Sequence, residues 1–530
     1  MVSHPNEPII SPVTARLPNA MELLIFNLQP GLALLLLAIV TLLTLLLLRT
    51  LYQLHIHPLS IYPGPTLWSL TRIPLARAQL SGNAHTVILS LHKKYGDIVR
   101  IAPDELSYSH PAAWDEIYGP RRKDRAENAK DHVFYFFSRE NIVGSGDEDH
   151  ARLRKILGSA FSLGSIVGME GFWGVYVNQL ITQLSKFVTE KDTQPKKPVE
   201  LTSWLNFMTF DVISDLVFGE SFGMVATGKY HPWVEMVLVH NRDVLFFNAT
   251  KYLSPLLAGL LGKMVPKSVR EKAREHGRMT HAMVERRKAL GTERVDIMSA
   301  MLGRGGKQGM TDTELDHNAS LLVIAGAEST ATTTCVAIYH LTRTPRAMRR
   351  LVDEVRGAFE REEDIKLVQA QQLPYLSAVI EETLRLHPPN PAGLPRRAPK
   401  GGTTVLGRYV PEGALMSVWQ WPQYHSSKWY HEPDSFFPER WLADKEERFK
   451  GDALNGVNPF VTGPRDCAGR NLAYAEVRLA MCRIFWKWDV ELAEDSENWV
   501  AEQKSYLVWQ KGPLNVYLTS RSQRWVPTSA

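Results

Sequence analysis

The amino-acid sequence predicts a mainly α-helical domain with small β-sheets, carried behind a single N-terminal transmembrane helix. Three observations lead there. Residues 31–48 are nearly all Leu, Ala, Ile and Val, interrupted only by Thr41 and Thr44. Helical periodicity of apolar positions fills most of the remainder, notably 203–217, 345–359, 375–386 and 471–488. Strand pairs are expected only over 97–108 and near the C-terminus, where 506–509 and 514–518 flank Lys511-Gly512-Pro513.

The apolar run reaches the roughly 20 residues a bilayer core requires once part of Leu23–Pro30 is added to it. A cleaved signal peptide would instead show a basic start, a shorter apolar stretch and small residues at the cut. Arg49, Arg72, Arg77, Lys93 and Lys94 follow the run and only Arg16 precedes it, so the bulk of the chain is expected in the cytosol. That topology leaves the glycosylation sequons at Asn248 and Asn318 unused. The expected order is a lumenal segment over 1–30, an anchor over 31–49, a proline-rich hinge over 50–66 and one large domain over 67–530. The hinge contains Tyr62-Pro63-Gly64-Pro65, a stiff turn.

Within the large domain no repeat, low-complexity linker or block of like charge suggests a further division. A formal charge of +5 on 530 residues, with Lys and Arg scattered, argues against a nucleic-acid partner. The three cysteines, Cys335, Cys467 and Cys482, have no metal-site or disulfide spacing and suit a reducing compartment. A helix from the capping-box pattern Thr311-Asp312-Thr313-Glu314 to about Thr342 would be long enough to cross the domain. Before it, Gly303-Arg304-Gly305-Gly306-Lys307 follows no strand and has the wrong glycine spacing for a phosphate loop, so a mobile loop is expected.

Chemistry concentrates at Phe460-Val461-Thr462-Gly463-Pro464-Arg465-Asp466-Cys467-Ala468-Gly469, just ahead of the helix at Asn471. A cysteine before a helix N-terminus is favoured as a thiolate, although an isolated cysteine is more often an ordinary buried thiol. Gly463 and Gly469 would let the loop turn and the helix approach a flat ligand; Arg465 could pair with a carboxylate, and Phe460 could shield the sulfur. The ten residues match F-x-x-G-x-R-x-C-x-G at every fixed position. They resemble the cysteine-ligand signature of the cytochrome P-450 family.

The resemblance runs from about Tyr62 to the C-terminus and implies that 67–530 is a heme-thiolate catalytic domain of the cytochrome P-450 fold. It implies heme b, with Cys467 as the axial ligand of the iron. His150 and Arg154 resemble the family's W-x-x-x-R propionate site with His in place of Trp, and Arg396 resembles a further propionate contact, with Arg397 beside it as a rival. Glu382-Thr383-Leu384-Arg385 and Arg440 resemble the family's buried structural triad. Ala325-Gly326-Ala327-Glu328-Ser329-Thr330 resembles the oxygen-activation motif, in which an acid followed by an alcohol relays protons; Ser329 stands where threonine is usual and Thr330 follows it. Gly326 would thin the helix for dioxygen. Four threonines among residues 330–334 are poor helix formers and point to a tertiary reason.

The resemblance further implies a monooxygenase that hydroxylates or epoxidises a lipophilic small molecule with O2. Electrons would come from NADPH through a separate, membrane-bound NADPH-cytochrome reductase, since the chain contains no flavin or nicotinamide module. The location implied is the endoplasmic reticulum membrane, single-pass. Residues 133–137 and 222–261 correspond by order to the family's substrate-recognition parts, and Tyr230-His231-Pro232-Trp233 with Gly393-Leu394-Pro395-Arg396 looks like filamentous-fungal members that tailor secondary metabolites. Arg465, Arg470, Arg478 and Lys487 are expected to offer positive charge to the reductase. Two other readings stand beside this one: a reductase-independent heme-thiolate isomerase or dehydratase, and a non-catalytic heme sensor.

Overall fold

The computed structural model describes residues 30–120, 127–135, 139–189, 197–238, 241–303 and 308–521. The expected lumenal segment before Pro30, with Arg16, lies outside the described residues, as do Phe136, Phe137 and the loop residues 304–307. The chain divides into two units, 1–60 and 61–530.

In the first unit, helix α1 (Pro30–Leu51) continues into one π-helical stretch, Tyr52–Ile56. Within the 26 residues of Gly31–Ile56, an 18-residue stretch has a mean hydropathy of 2.9, and none of it is buried. At 1.5 Å per residue the helix is about 39 Å long, more than a hydrocarbon core of about 30 Å. The hydroxyls of Thr41, Thr44 and Thr50 donate to the carbonyls of Leu37, Val40 and Leu46 at 2.8 Å each, so these threonines carry no unpaired donor into an apolar medium. An apolar N-terminal helix of this kind is compatible with membrane anchoring.

The expected hinge over 50–66 is not one segment. Residues 50–56 are helical, and the proline-rich turn belongs to the second unit: Arg100 N–H donates to the Pro63 carbonyl at 2.8 Å, and a Cβ on Gly64 would run into the Arg100 carbonyl oxygen. Glycine is required there because the backbone passes directly over strand β1 (Ile98–Ala102). β1 pairs with β2 (Glu105–Tyr108), as the alternation around residue 103 predicts.

Helix α2 (Asp147–Ala160) starts with Asp147, Glu148 and Asp149, whose charges suit the positive end of the helix dipole. Helix α3 (Leu201–Phe218) is buried over most of its surface; the Glu200 side chain caps its start and Gly219, at φ 73°, closes its end. Helix α4 (Asp312–Arg343) is the long helix. Its capping box is formed in both directions: Thr311 Oγ1 accepts from Glu314 N–H at 3.3 Å, and Thr311 N–H donates to Glu314 at 2.9 Å. Pro345 at the first turn of α5 (Pro345–Ala358) and Pro374 in that of α6 (Pro374–Leu386) occupy positions whose N–H would have no helical partner. Helix α7 (Arg470–Lys487) packs on α4, and α4 on α3, in the main hydrophobic core.

Among the described residues four small sheets complete the fold, one of them the pair β6 (Thr403–Val405) and β7 (Arg408–Val410). The largest has the order β1-β2-β8-β5-β3, with β3 at Ala129–Lys130, β5 at Arg396–Arg397 and β8 at Leu415–Val418. Another joins β4 (Pro198–Glu200) and β9 (Trp488–Leu492) across β12 (Asn515–Ser520). The C-terminal strand pairing differs from expectation. The two segments flanking Lys511 do not pair with each other. β10 (Lys504–Tyr506) folds back on β11 (Val508–Gln510) through Leu507, which adopts φ 76°, and β12 goes to the other sheet. A leucine in the left-handed region carries no sequence signal of a turn.

Asn248 and Asn318 are both buried. Asn318 accepts from Ile142 N–H at 3.0 Å and donates to the Glu140 and Glu314 carbonyls, which leaves no space for a glycan.

Candidate active site

Cys467 sits in a loop that glycine geometry makes possible. Gly463 adopts φ 85°, and a Cβ there would collide with the Tyr118 carbonyl oxygen. Asp466 N–H then donates to the Gly463 carbonyl at 3.1 Å, and Cys467 N–H to the Phe460 carbonyl at 2.9 Å, turning the thiol away from its own backbone. Val461 is also held at positive φ, 63°. Gly469 serves differently. Its backbone is ordinary, and an added Cβ would meet nothing nearer than Cys467 Sγ and Phe161, both at 3.9 Å; it would project beside the sulfur. α7 begins immediately afterwards.

The sulfur opens on a cavity of about 420 Å³. The Cys467 side chain is exposed to this cavity, and desolvation by the protein around it pushes the thiol above its ordinary value, against the pull of the Gly469 N–H and the Arg154 and Arg470 guanidiniums. Among the described residues no cluster of three His, Cys, Asp or Glu side chains could hold a bare metal ion, so a metal here would arrive in a ligand of its own.

The same cavity collects five basic side chains: Lys130, His150, Arg154, Arg396 and Arg465. Arg154 pairs with Asp466, and Arg465 with Glu127 and Asp147, yet the buried Nη1 atoms of Arg396 and Arg465 have no partner. Burial and the neighbouring cations lower Lys130 to about 7 and His150 to about 3, so His150 is neutral at physiological pH. Guanidinium donors left unsatisfied beside a thiol define a site for an anionic ligand. A planar group with carboxylates at its edge and a metal at its centre fits this donor set. The neighbouring Arg397 is excluded from the role: it pairs with Asp131 and donates to the Gly413 carbonyl at 2.8 Å.

α4 contributes Ala325, Gly326, Ser329, Thr330 and Thr333 to the cavity. Ser329 Oγ and Thr330 Oγ1 each donate to the carbonyl four residues earlier at 2.9 Å, and Thr332, Thr333 and Thr334 repeat the pattern at 2.8–3.0 Å. The threonine run is thus accommodated by back-bonding inside the core. Gly326 lines the cavity, and an added Cβ would stand 3.1 Å from the Ile213 side chain on α3, which would have to give by a few tenths of an ångström to admit it. Glu328, the acid of the motif, does not line this cavity; it pairs with Lys511.

Glu382, Arg385 and Arg440 form a fully buried cluster. Arg385 grips Glu382 at 2.8 and 2.9 Å, and Arg440 Nε reaches it at 3.1 Å. Trp441 Nε1 and Phe437 N–H add bonds at 2.9 and 3.0 Å, while Arg440 also pairs with Asp452. Burial raises the Glu382 carboxyl, and the two guanidiniums and these donors more than offset it, leaving it below the ordinary value. The cluster shares no lining residue with the cavity, which makes its role one of bracing.

Among the described residues, none from 222–261 lines the cavity. Phe222, His231 and Trp233 are used in packing: Phe222 stacks on His231, and the Trp233 ring lies against those of Phe222, Phe218 and His276. The apolar wall comes instead from Ile142, Val143, Ile213, Leu321 and Leu322, with Tyr135 from the 133–137 segment. The positive face expected on the thiolate side reduces to Arg470: the Arg465 side chain is 6% exposed and ion-paired, Arg478 lies over the Tyr474 ring and Lys487 pairs with Glu362 at 2.8 Å. Sequence reasoning missed Lys130, which no motif marks; it reaches the site through the β3–β5 pairing that brings it beside Arg396.

A family model described as Cytochrome P-450 matches residues 62–518. Trichothecene C-15 hydroxylase of Fusarium sporotrichioides is 40% identical over 474 residues, 89% of this chain and 95% of its own length. Cytochrome P-450 monooxygenase astJ of Aspergillus oryzae is 39% identical over 478 residues, 89% of this chain and 94% of its own. Cytochrome P-450 monooxygenase prhB of Penicillium brasilianum is 38% identical over 476 residues, 89% and 96% respectively.

Proposed function

The chain belongs to the cytochrome P-450 family of heme-thiolate monooxygenases, and from that premise we propose that Cys467 is its iron ligand and that it hydroxylates or epoxidises a lipophilic small molecule. The observation that carries this reading is the shared cavity: the Cys467 thiol, the unpartnered Nη1 atoms of Arg396 and Arg465, and the Ser329 and Thr330 hydroxyls all line it.

Bound heme supplies the redox chemistry, dioxygen reduction with transfer of one oxygen atom to substrate, and draws its electrons from a redox partner. The chain's own residues do the rest. Arg396, Arg465, Arg154, Lys130 and neutral His150 hold the carboxylate edge; Phe460 and Leu472 cover the cysteine side; Ile142, Val143, Ile213, Leu321 and Leu322 keep the reacting side apolar and select a lipophilic substrate. Glu328 supplies protons, which Ser329 and Thr330 carry to the cavity. The partner is an NADPH-dependent reductase in the endoplasmic reticulum membrane, where α1 anchors the chain as a single span with the catalytic unit in the cytosol. The fungal relatives, one of them named as a hydroxylase of trichothecenes, support a tailoring step on a secondary metabolite.

Turnover of candidate lipophiles with and without NADPH and reductase tests the reading. Product carrying label from ¹⁸O2, formed only with both, is expected. Product formed without reductase would make the protein an isomerase or dehydratase, and heme binding with no turnover of any metabolite missing from a deletion strain would leave a sensor.

A further inference from the structure

Helix α4 separates two compartments of opposite character. Ser329 and Thr330 line the Cys467 cavity, whereas Glu328 lines a second, polar hollow of about 630 Å³ bordered by Glu200, Asn206, Tyr230, Arg242 and Asp243. There the Glu328 carboxylate pairs with Lys511, whose Nζ also donates to Thr332 Oγ1 at 2.8 Å. The Lys511 side chain is 2% exposed and that of Glu328 11%. Lys511 follows β11 directly, in the turn that carries the chain from β11 to β12, so the partner comes from outside α4. Desolvating two charges is costly, and a helix contact needing only packing is at least as stable with apolar residues. A buried ion pair on the side of α4 that lines the polar hollow, next to the hydroxyls that line the Cys467 cavity, points to a task for it.

We propose that Lys511 is a positioning residue for proton delivery: it holds Glu328 in the polar hollow, where water recharges it, before the side chain turns toward Ser329 and Thr330. The step balances without electron transfer. Glu328 takes one proton that hydronium or a buffer acid in the bulk solvent supplies through water in the hollow, and passes it to Ser329 Oγ as the hydroxyl's own proton leaves into the cavity, so one proton lost by bulk solvent is one gained by the reduced dioxygen. Glu328 returns to the carboxylate and pairs again with Lys511. Lys511 stays charged throughout and never touches the reacting atoms.

This inference rests on the proposed relay through Glu328 and is tested on the heme-loaded full chain with reductase, NADPH and dioxygen, without organic substrate. The readouts are the share of NADPH electrons recovered as hydrogen peroxide rather than water, and the infrared stretching band of heme-bound carbon monoxide. Lys511→Met is expected to raise the peroxide share several-fold and to shift or broaden the infrared band, while Lys511→Arg keeps both near the parent. The charge swap Glu328→Lys/Lys511→Glu retains an ion pair and hence the packing, yet is expected to be as uncoupled as Lys511→Met; it carries the test if Lys511→Met loses heme. Full coupling in the charge swap would show the pair to be structural and overturn the proposal. Parent-like coupling in Lys511→Met with uncoupling in Glu328→Gln would overturn the role of Lys511 alone; parent-like coupling in both would overturn the relay as well.

Discussion

Asp131 decides which of two neighbouring arginines serves the cavity. By binding Arg397 and the Tyr252 hydroxyl it occupies the first and leaves Arg396 facing Tyr118, Tyr135 and the ligand space. The pair Arg396-Arg397 could not be ranked by pattern, because strand alternation places one on each face without saying which face holds the ligand. Arg396→Leu is therefore expected to lower the heme content of the purified protein several-fold, as measured by absorbance per chain, whereas Arg397→Leu should leave heme content close to the parent and loosen the Asp131–Tyr252 contact instead. Cys467 shows the complementary limit of pattern reading. Its motif is legible at every fixed position, whereas the desolvation that pushes the thiol up, against the pull of Arg154 and Arg470, carries no sequence signal. Glu328 shows a third: helical spacing reveals an acid beside an alcohol but not that the two look into different compartments.

At the scale of elements, the cysteine loop contains two glycines with separable duties. Gly463→Ala must both leave φ 85° and displace the Tyr118 carbonyl, so a loss of at least about 1 kcal/mol in folding stability is expected by chemical denaturation. Gly469→Ala meets no protein atom closer than 3.9 Å and should fold as the parent does, while its methyl projects beside Cys467 and reduces heme uptake. Parent-like heme uptake in Gly469→Ala would contradict the placement of the ligand against α7. The long helices were legible because their periodicity and caps agree: the expected start at Thr311 and end near Thr342 meet α4 at Asp312–Arg343. The C-terminal strands were not, since β12 takes its partners from residues 198–200 and 488–492, a non-local choice that no local pattern encodes. The buried Glu382–Arg385–Arg440 cluster gives this scale its steepest expectation: Arg385→Leu strands the Glu382 charge and should cost about 3–5 kcal/mol, read as loss of folded, heme-loaded protein.

For the whole molecule, acid sensitivity follows from histidines folded in neutral form. Burial lowers His85 and His92 to about 4, and the His92 ring is fixed between Ser107 Oγ at 2.7 Å and the Gly96 carbonyl at 2.8 Å. The unfolded chain protonates these rings below an ordinary value of 6.5 while the folded chain does not until about pH 4. Their contribution is present above pH 6.5 and is lost as the pH falls from 6.5 to 4, up to about 3 kcal/mol per buried ring. Denaturation midpoints measured across that window should fall with pH, and His85→Asn should make the fall shallower; an equal slope would remove His85 from the account. The anchor is a separate property of the other unit. A chain starting at Ile61 is expected to leave the membrane fraction and keep its heme, because every cavity-lining residue lies in 61–530.

The central claim, that Cys467 is the thiolate ligand of a bound heme, is tested most directly by the carbon monoxide difference spectrum of the reduced protein and of its Cys467→Ser variant. The parent is expected to show the red-shifted Soret band of thiolate ligation, and the variant to lose that band. A variant that kept it would contradict the assignment.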